Sequence, residues 1–290
     1  MVKKKIRKTL NWFEQLPQML RSVIEILKHG GSSRIEVSII NIGSSLVGKR
    51  ILITGGSSGI GLSIARKCLN EGARVVITGR NQNKLDQAKQ ELADRSLGAM
   101  VWDVAGISIA ASKLKEAEEF LGGDIDVLVN NAGVLLGEAF PNISEKIWDQ
   151  TYAVNSKGLF FLTQQVCKRW SNSRVTKPKK IINISSQGGY VGATYPYRMT
   201  KWDIAGLTQG LGIKLAPKGI IVNGIAPGIV VTDMQKGCQA QDDNTFYAEN
   251  PVKRHALPEE IAELAHFLIS DASNFIVGQT IVCDGGYSLK

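Results

Sequence analysis

The chain has 290 residues, 43% of them hydrophobic, enough for one large core or two small ones, and it carries no low-complexity tract. Its four cysteines (Cys68, Cys167, Cys238, Cys283) and three histidines (His29, His255, His266) are scattered without CxxC or metal-ligand spacing, which argues against a disulfide framework and against any bound metal. The net charge of +9 is concentrated at one end: the first 50 residues hold ten Lys/Arg against three acids, a net +7, which leaves +2 for the other 240 and gives no case for nucleic-acid binding by the rest of the chain.

The first 48 residues read as a separate arm. Leu10, Phe13, Leu16, Leu20, Val23 and Leu27 fall at helical spacing and predict an amphipathic helix from about residue 8 to 28, ended by Gly30-Gly31-Ser32-Ser33. Arg34–Ile42 then reads as a strand. The helix is too polar to span a bilayer, and Glu14, Gln15, Pro17 and Gln18 interrupt any signal-peptide core. An apolar stripe needs covering, so the arm is expected to pack on its own domain or on a neighbouring subunit. A membrane surface, attracted by Lys3, Lys4, Lys5, Arg7 and Lys8, is the less favoured alternative. Reduced cysteines and the missing secretory signal point to the cytoplasm.

From residue 49 to 290 one rhythm holds, which reads as a single domain. Short apolar runs at Arg50–Thr54, Arg74–Thr78, Ala99–Val101, Val127–Val129, Lys180–Ile184, Ile220–Val222 and Thr280–Cys283 are apolar on both faces. They alternate with amphipathic stretches, among them Gly59 to about Asn70, Asn83–Arg95, Glu145–Trp170 and Pro196–Leu215. Strands of this kind with helices between them form a mostly parallel, doubly wound α/β sheet with helices on both faces.

The first strand runs into Thr54-Gly55-Gly56-Ser57-Ser58-Gly59-Ile60-Gly61. Gly55 permits the sharp turn, Gly59 lets the backbone approach a pyrophosphate, and Gly61 lets the helix pack closely on the sheet. The helix N-terminus offers N–H groups and a positive dipole to phosphate. This strand–loop–helix order makes the domain Rossmann-type. The second strand ends in Gly79-Arg80, where an acid would bind a ribose 2′-hydroxyl. A guanidinium instead of a carboxylate favours the 2′-phosphate of NADP(H).

Together these residues resemble the short-chain dehydrogenase/reductase family over about residues 48–290. Thr54, Gly55, Gly59 and Gly61 match the family's TGxxxGxG loop, with Ser57, Ser58 and Ile60 between them. Asp103, followed by Val104, resembles its adenine-contacting aspartate. Asn131, Ala132 and Gly133 belong to an NNAG segment. Asn155, Ser186 and Tyr197-Arg198-Met199-Thr200-Lys201 match its catalytic asparagine, serine and YxxxK. Pro227-Gly228, Val230 and Thr232 match a PGxxxT segment near the nicotinamide. The resemblance implies ketone–alcohol interconversion with Tyr197 as acid/base, Ser186 on the substrate oxygen, Lys201 on the nicotinamide ribose and Asn155 holding a proton-passing water. It also implies a small-molecule carbonyl or alcohol substrate and a homo-oligomer, most readily a tetramer, joined by the long helices at 145–170 and 196–215. An NAD-dependent enzyme of the same fold and a cofactor-binding regulator without turnover are the alternatives. Lys201, four residues after Tyr197 on one helical face, is expected to lower the phenol's pKa. The loop Gln187–Pro196 is slightly shorter than in many members, which leaves the substrate open. The polar lid Asp233–Pro251 favours a sugar-like or hydroxy-acid compound.

Overall fold

The computed structural model describes residues 18–29, 43–137, 139–171, 177–232, 234 and 245–289. Helix α1 (Gln18–His29) precedes the domain. It falls within the helix expected at 8–28, of which the earlier part, like the strand expected at Arg34–Ile42, lies outside the described residues. The domain then runs β1 (Arg50–Ile53), α2 (Gly59–Asn70), β2 (Arg74–Gly79), α3 (Gln82–Leu92), β3 (Leu97–Val101), α4 (Ala110–Leu121), β4 (Val127–Asn130) and α5 (Glu145–Tyr152). A π turn (Ala153–Gly158) leads into α6 (Leu159–Ser171), β5 (Lys179–Ile184), α7 (Pro196–Leu215), β6 (Ile220–Pro227), α8 (Pro258–Ile269) and β7 (Thr280–Cys283). Helices α4 and α8 are additions to the elements expected from the sequence.

All seven strands pair in parallel, in the order β3-β2-β1-β4-β5-β6-β7. Alternation along the strands feeds two cores. Ile51, Ile53, Val75, Ile77, Val127 and Val129 point to one face, beneath α2 and α8. Leu52, Val76 and Leu128 point to the other, beneath α4 and α6. Both faces are therefore apolar, as a sheet covered on two sides requires. The chain order reverses between β1 and β4, and a ligand cleft opens beyond the carboxyl ends of strands at such a switch point.

Two features sit differently from expectation. Leu46, on the arm side of the boundary read at residue 48, is fully buried in the core, and its N–H donates to Glu71 O at 3.0 Å. Beside it, Ser45 Oγ donates to Glu71 Oε2 at 2.9 Å and lies 2.7 Å from His266 Nε2. The domain body therefore begins a few residues before 49. The long helix read at Glu145–Trp170 is divided by the π turn at Ala153–Gly158.

Candidate active site

The carboxyl end of β1 and the segment after β4 form one clamp. Thr54 Oγ1 accepts hydrogen bonds from the N–H groups of Asn131 and Ala132, both at 3.0 Å. Asn131 Nδ2 donates to Thr54 O at 3.0 Å and Gly55 O at 2.9 Å. Gly55 has φ +64°, and a Cβ there would lie 2.8 Å from Ala132 Cα. A Cβ on Gly61 would collide with Gly55 O. Thr54 and Gly61 thus shape the loop from beneath rather than line it.

The loop residues Gly55, Ser57, Ser58, Gly59 and Ile60 wall a cleft of about 250 Å³. Its other walls are Arg80 after β2, Asp103 and Val104 after β3, Asn131, Ala132 and Gly133 after β4, and Thr232. Helix α2 starts at this cleft with no side-chain cap, since Ser58 is extended and makes none. Its first N–H groups are left to an anionic ligand. A nicotinamide dinucleotide fits this donor set: bare glycine backbone, an uncapped helix N-terminus, an aspartate and a guanidinium along one trench. A Cβ on Gly79 would meet Ser57 Oγ at 2.9 Å, so a larger residue there would have to turn the loop serine aside. Arg80 is exposed on the wall and makes no hydrogen bond to another described residue, so its guanidinium is available to a ligand.

A second pocket continues the cleft past Ile60, Asn131, Gly133 and Thr232. Ser186, Tyr197, Lys201, Pro227, Gly228 and Val230 line it. Ser186 lies close enough to Tyr197 to bear on its phenol. Its neighbour Ser185 points the other way, its Oγ donating to Lys201 O at 2.8 Å. Burial pushes the Tyr197 phenol above its ordinary pKa, and Ser186 only partly opposes this. The expected lowering by Lys201 is not the net result. The Lys201 ammonium lies over the Tyr197 ring, 5.4 Å from its centroid, and donates to Ile184 O at 2.9 Å. Burial itself pulls Lys201 down to about 8.

Asn155 sits in the π turn and is fully buried. Its Oδ1 accepts from Val134 N at 2.9 Å, and its Nδ2 donates to Val134 O at 3.0 Å and Thr200 Oγ1 at 3.2 Å. Both amide hydrogens are committed to protein, so the side chain braces the segment that follows β4. Thr200 completes the link: it is fully buried and donates to Tyr197 O at 2.7 Å. The sequence reading passed over Thr200, although its place between Tyr197 and Lys201 was the available signal. Trp102, Val134, Val154, Ile184, Ser185 and Met234 also line one pocket or the other.

Helix α7 holds the loop between Ser186 and Tyr197. Trp202 Nε1 donates to Val191 O and Arg198 Nη1 to Gly192 O, each at 3.0 Å. Arg198 also lies over the Tyr195 ring, which stacks on Tyr197 at 6.5 Å between centroids. Of the lid read at Asp233–Pro251, only Met234 and residues 245–251 are among the described residues.

Known proteins resemble this chain in sequence and fold. The family described as Enoyl-(Acyl carrier protein) reductase matches residues 55–288. The chain is 33% identical over 246 residues to the 3-oxoacyl-(acyl-carrier-protein) reductase of Aquifex aeolicus, covering 83% of this chain and 98% of that protein. It is 33% identical over 250 residues to the gluconate 5-dehydrogenase of Gluconobacter oxydans, covering 85% and 97%. A crystal structure of a gluconate 5-dehydrogenase from Burkholderia cenocepacia, in complex with NADP and tartrate, superposes with a TM-score of 0.75 at 32% identity, covering 84% of this chain and 97% of that one. The sheet, the phosphate loop and these relatives agree: the chain belongs to the short-chain dehydrogenase/reductase family, and it is an oxidoreductase of that family.

Proposed function

We propose that the protein is an NADP(H)-dependent oxidoreductase that interconverts a ketone and a secondary alcohol, with Tyr197 as general acid/base. The observation that carries the reading is the convergence of Ser186, Tyr197 and Lys201 in one pocket that opens into the glycine-walled cleft. Nicotinamide supplies or takes the hydride when bound. Thr54 and Asn131 hold the loop that would receive its phosphates, and Arg80 would meet the 2′-phosphate.

In the reducing direction the Tyr197 hydroxyl gives its proton to the oxygen of the forming alcohol. Ser186 hydrogen-bonds the same oxygen and supports its developing charge. The resulting phenolate is balanced by the Lys201 ammonium over the ring. Burial keeps Tyr197 protonated at neutral pH, which is the form that reduction needs, whereas oxidation calls for the phenolate and so for higher pH. Asn155 keeps Val134 and Thr200 in register around these groups.

NADP in the similar gluconate 5-dehydrogenase complex supports the cofactor choice, as does Gly79 beside Ser57. The tartrate in that complex is a hydroxy acid, in keeping with the polar lid sequence, so hydroxy acids, polyols and their ketones are the first compounds to screen by cofactor absorbance. On the best substrate found, Tyr197→Phe should abolish turnover while NADPH affinity stays close to wild type, because one oxygen is lost and little volume. A variant that retained a substantial fraction of wild-type turnover would remove Tyr197 from the mechanism.

A further inference from the structure

Helix α1 sorts its residues by type. At about 100° per residue, positions 19, 20, 23, 24, 26 and 27 fall within one arc of roughly 160°. Those positions are Met19, Leu20, Val23, Ile24, Ile26 and Leu27. Gln18, Arg21, Ser22, Glu25, Lys28 and His29 take the opposite arc, and no charge interrupts the apolar one. The domain does not cover this face: Leu20 is 48%, Val23 46%, Ile26 42% and Leu27 75% exposed.

No helix among the described residues is long and apolar enough to cross a membrane. Charge decides between the surfaces that could cover this face: residues 1–29 hold seven Lys/Arg against Glu14 and Glu25, a net +5, so two arms face to face would repel, whereas an anionic lipid surface attracts that charge and accepts shallow apolar insertion.

We propose that α1 is a membrane-surface anchor that lies along an anionic bilayer, with Leu20, Val23, Ile26 and Leu27 in the headgroup–acyl boundary. The net positive charge of residues 1–29 would draw the chain to anionic lipid, and the oxidoreductase domain would work beside the membrane. This replaces the protein-packing role expected from the sequence, and it does not depend on the substrate or on the catalytic assignment.

The test is co-sedimentation of the full-length protein with vesicles of phosphatidylcholine plus phosphatidylglycerol, against phosphatidylcholine alone. Binding should be at least roughly tenfold stronger on the anionic vesicles and should weaken as salt is raised. The double variant Val23→Glu, Leu27→Glu should lose anionic binding by about tenfold or more, with thermal melting, NADPH affinity and oligomer size unchanged. Wild-type protein left in the supernatant, equal binding to neutral vesicles, or undiminished binding by the double variant would overturn the proposal. So would a change in the double variant's size by light scattering, because a second copy would then be what covers the helix.

Discussion

At single residues, the site is a set of short links whose removal should be separable. Arg80 makes no bond to another described residue and Gly79 brings no carboxylate, so the preference for NADPH over NADH should rest largely on one guanidinium. A charged hydrogen bond is worth about 1.5–3 kcal/mol, or roughly tenfold and more in affinity. Titrating both cofactors into Arg80→Ala should therefore show most of the preference gone, and a preference unchanged from wild type would place 2′-phosphate recognition elsewhere. Thr200 joins Asn155 to the backbone of Tyr197 without lining either pocket. It is a positioning residue, and Thr200→Val should lower kcat by about threefold to tenfold, the worth of an ordinary hydrogen bond, while leaving NADPH affinity alone. Thr200→Ser restores the hydroxyl and should recover the rate. A valine variant with wild-type kcat, or a serine variant as slow as valine, would deny the link a role. That Tyr197 and Lys201 share a face was legible from their spacing, because four residues on a helix is one face. The environment of the pair was not: burial governs both Tyr197 and Lys201, and burial is a property of the folded neighbourhood.

Among the elements, what the sequence made plain were those whose signal is local. Strands buried on both faces appear as unbroken apolar runs, and the loop after β1 shows its glycines because a side chain at Gly55 or Gly61 would collide with backbone and one at Gly56 with Ile77. The π turn had no such signal. Ala153–Gly158 is held by the contacts of Asn155 with Val134 and Thr200, and a Cβ on Gly158 would lie 2.7 Å from Val104 O. These partners are distant in sequence. Lys180 is likewise invisible beforehand: a strand lysine reads as a break in an apolar run, yet it is fully buried with its Nζ donating to Leu268 O at 3.1 Å, to Ser273 Oγ at 2.8 Å and to Ser270 O. It ties the centre of the sheet to the carboxyl end of α8, where free carbonyls need donors. Burial pulls its pKa down to about 8 from 10.5. A group whose folded pKa is depressed binds its proton more weakly in the folded state, so its contribution to stability rises as pH climbs from about 8 towards 10.5 and is lost as pH falls through 8. Lys180→Met should remove that slope and also destabilise the fold by about 1–3 kcal/mol, because the acceptors stay buried without a donor. Urea midpoints at pH 7.5 and 9.5, wild type against variant, measure both effects, and parallel pH profiles would show that Lys180 does not titrate in this window.

At the level of the whole molecule, the long helices carry more apolar surface than one domain needs. On α7, Gly206 and Gly210 are exposed and a Cβ on either would meet nothing within 4 Å, while Ile213 further along is 73% exposed. Phe160 on α6 and Trp202 on α7 are exposed as well. Glycines one turn apart let another helix approach closely, and the flanking aromatics supply area. Two helices per subunit meeting the same pair across a twofold axis would bury a surface of the standard interface class, and such an isologous contact closes on itself. The protein should therefore run as a homo-oligomer, a dimer through this contact alone; the tetramer expected from the family resemblance needs a second, different interface. Gly206→Glu puts a charge in the centre of that face without touching the Asn155–Thr200–Tyr197 link or either pocket. Light scattering at micromolar concentration should report the assembly for wild type and a smaller species for Gly206→Glu, with cofactor affinity retained. A monomeric wild type, or a glutamate variant that assembles as wild type does, would mean that this face serves some other purpose. The same measurement on a chain lacking residues 1–42 should leave the assembly intact, since α6 and α7 lie wholly within the domain and α1 is assigned to lipid; a deletion that fell apart would instead return the arm to the subunit interface.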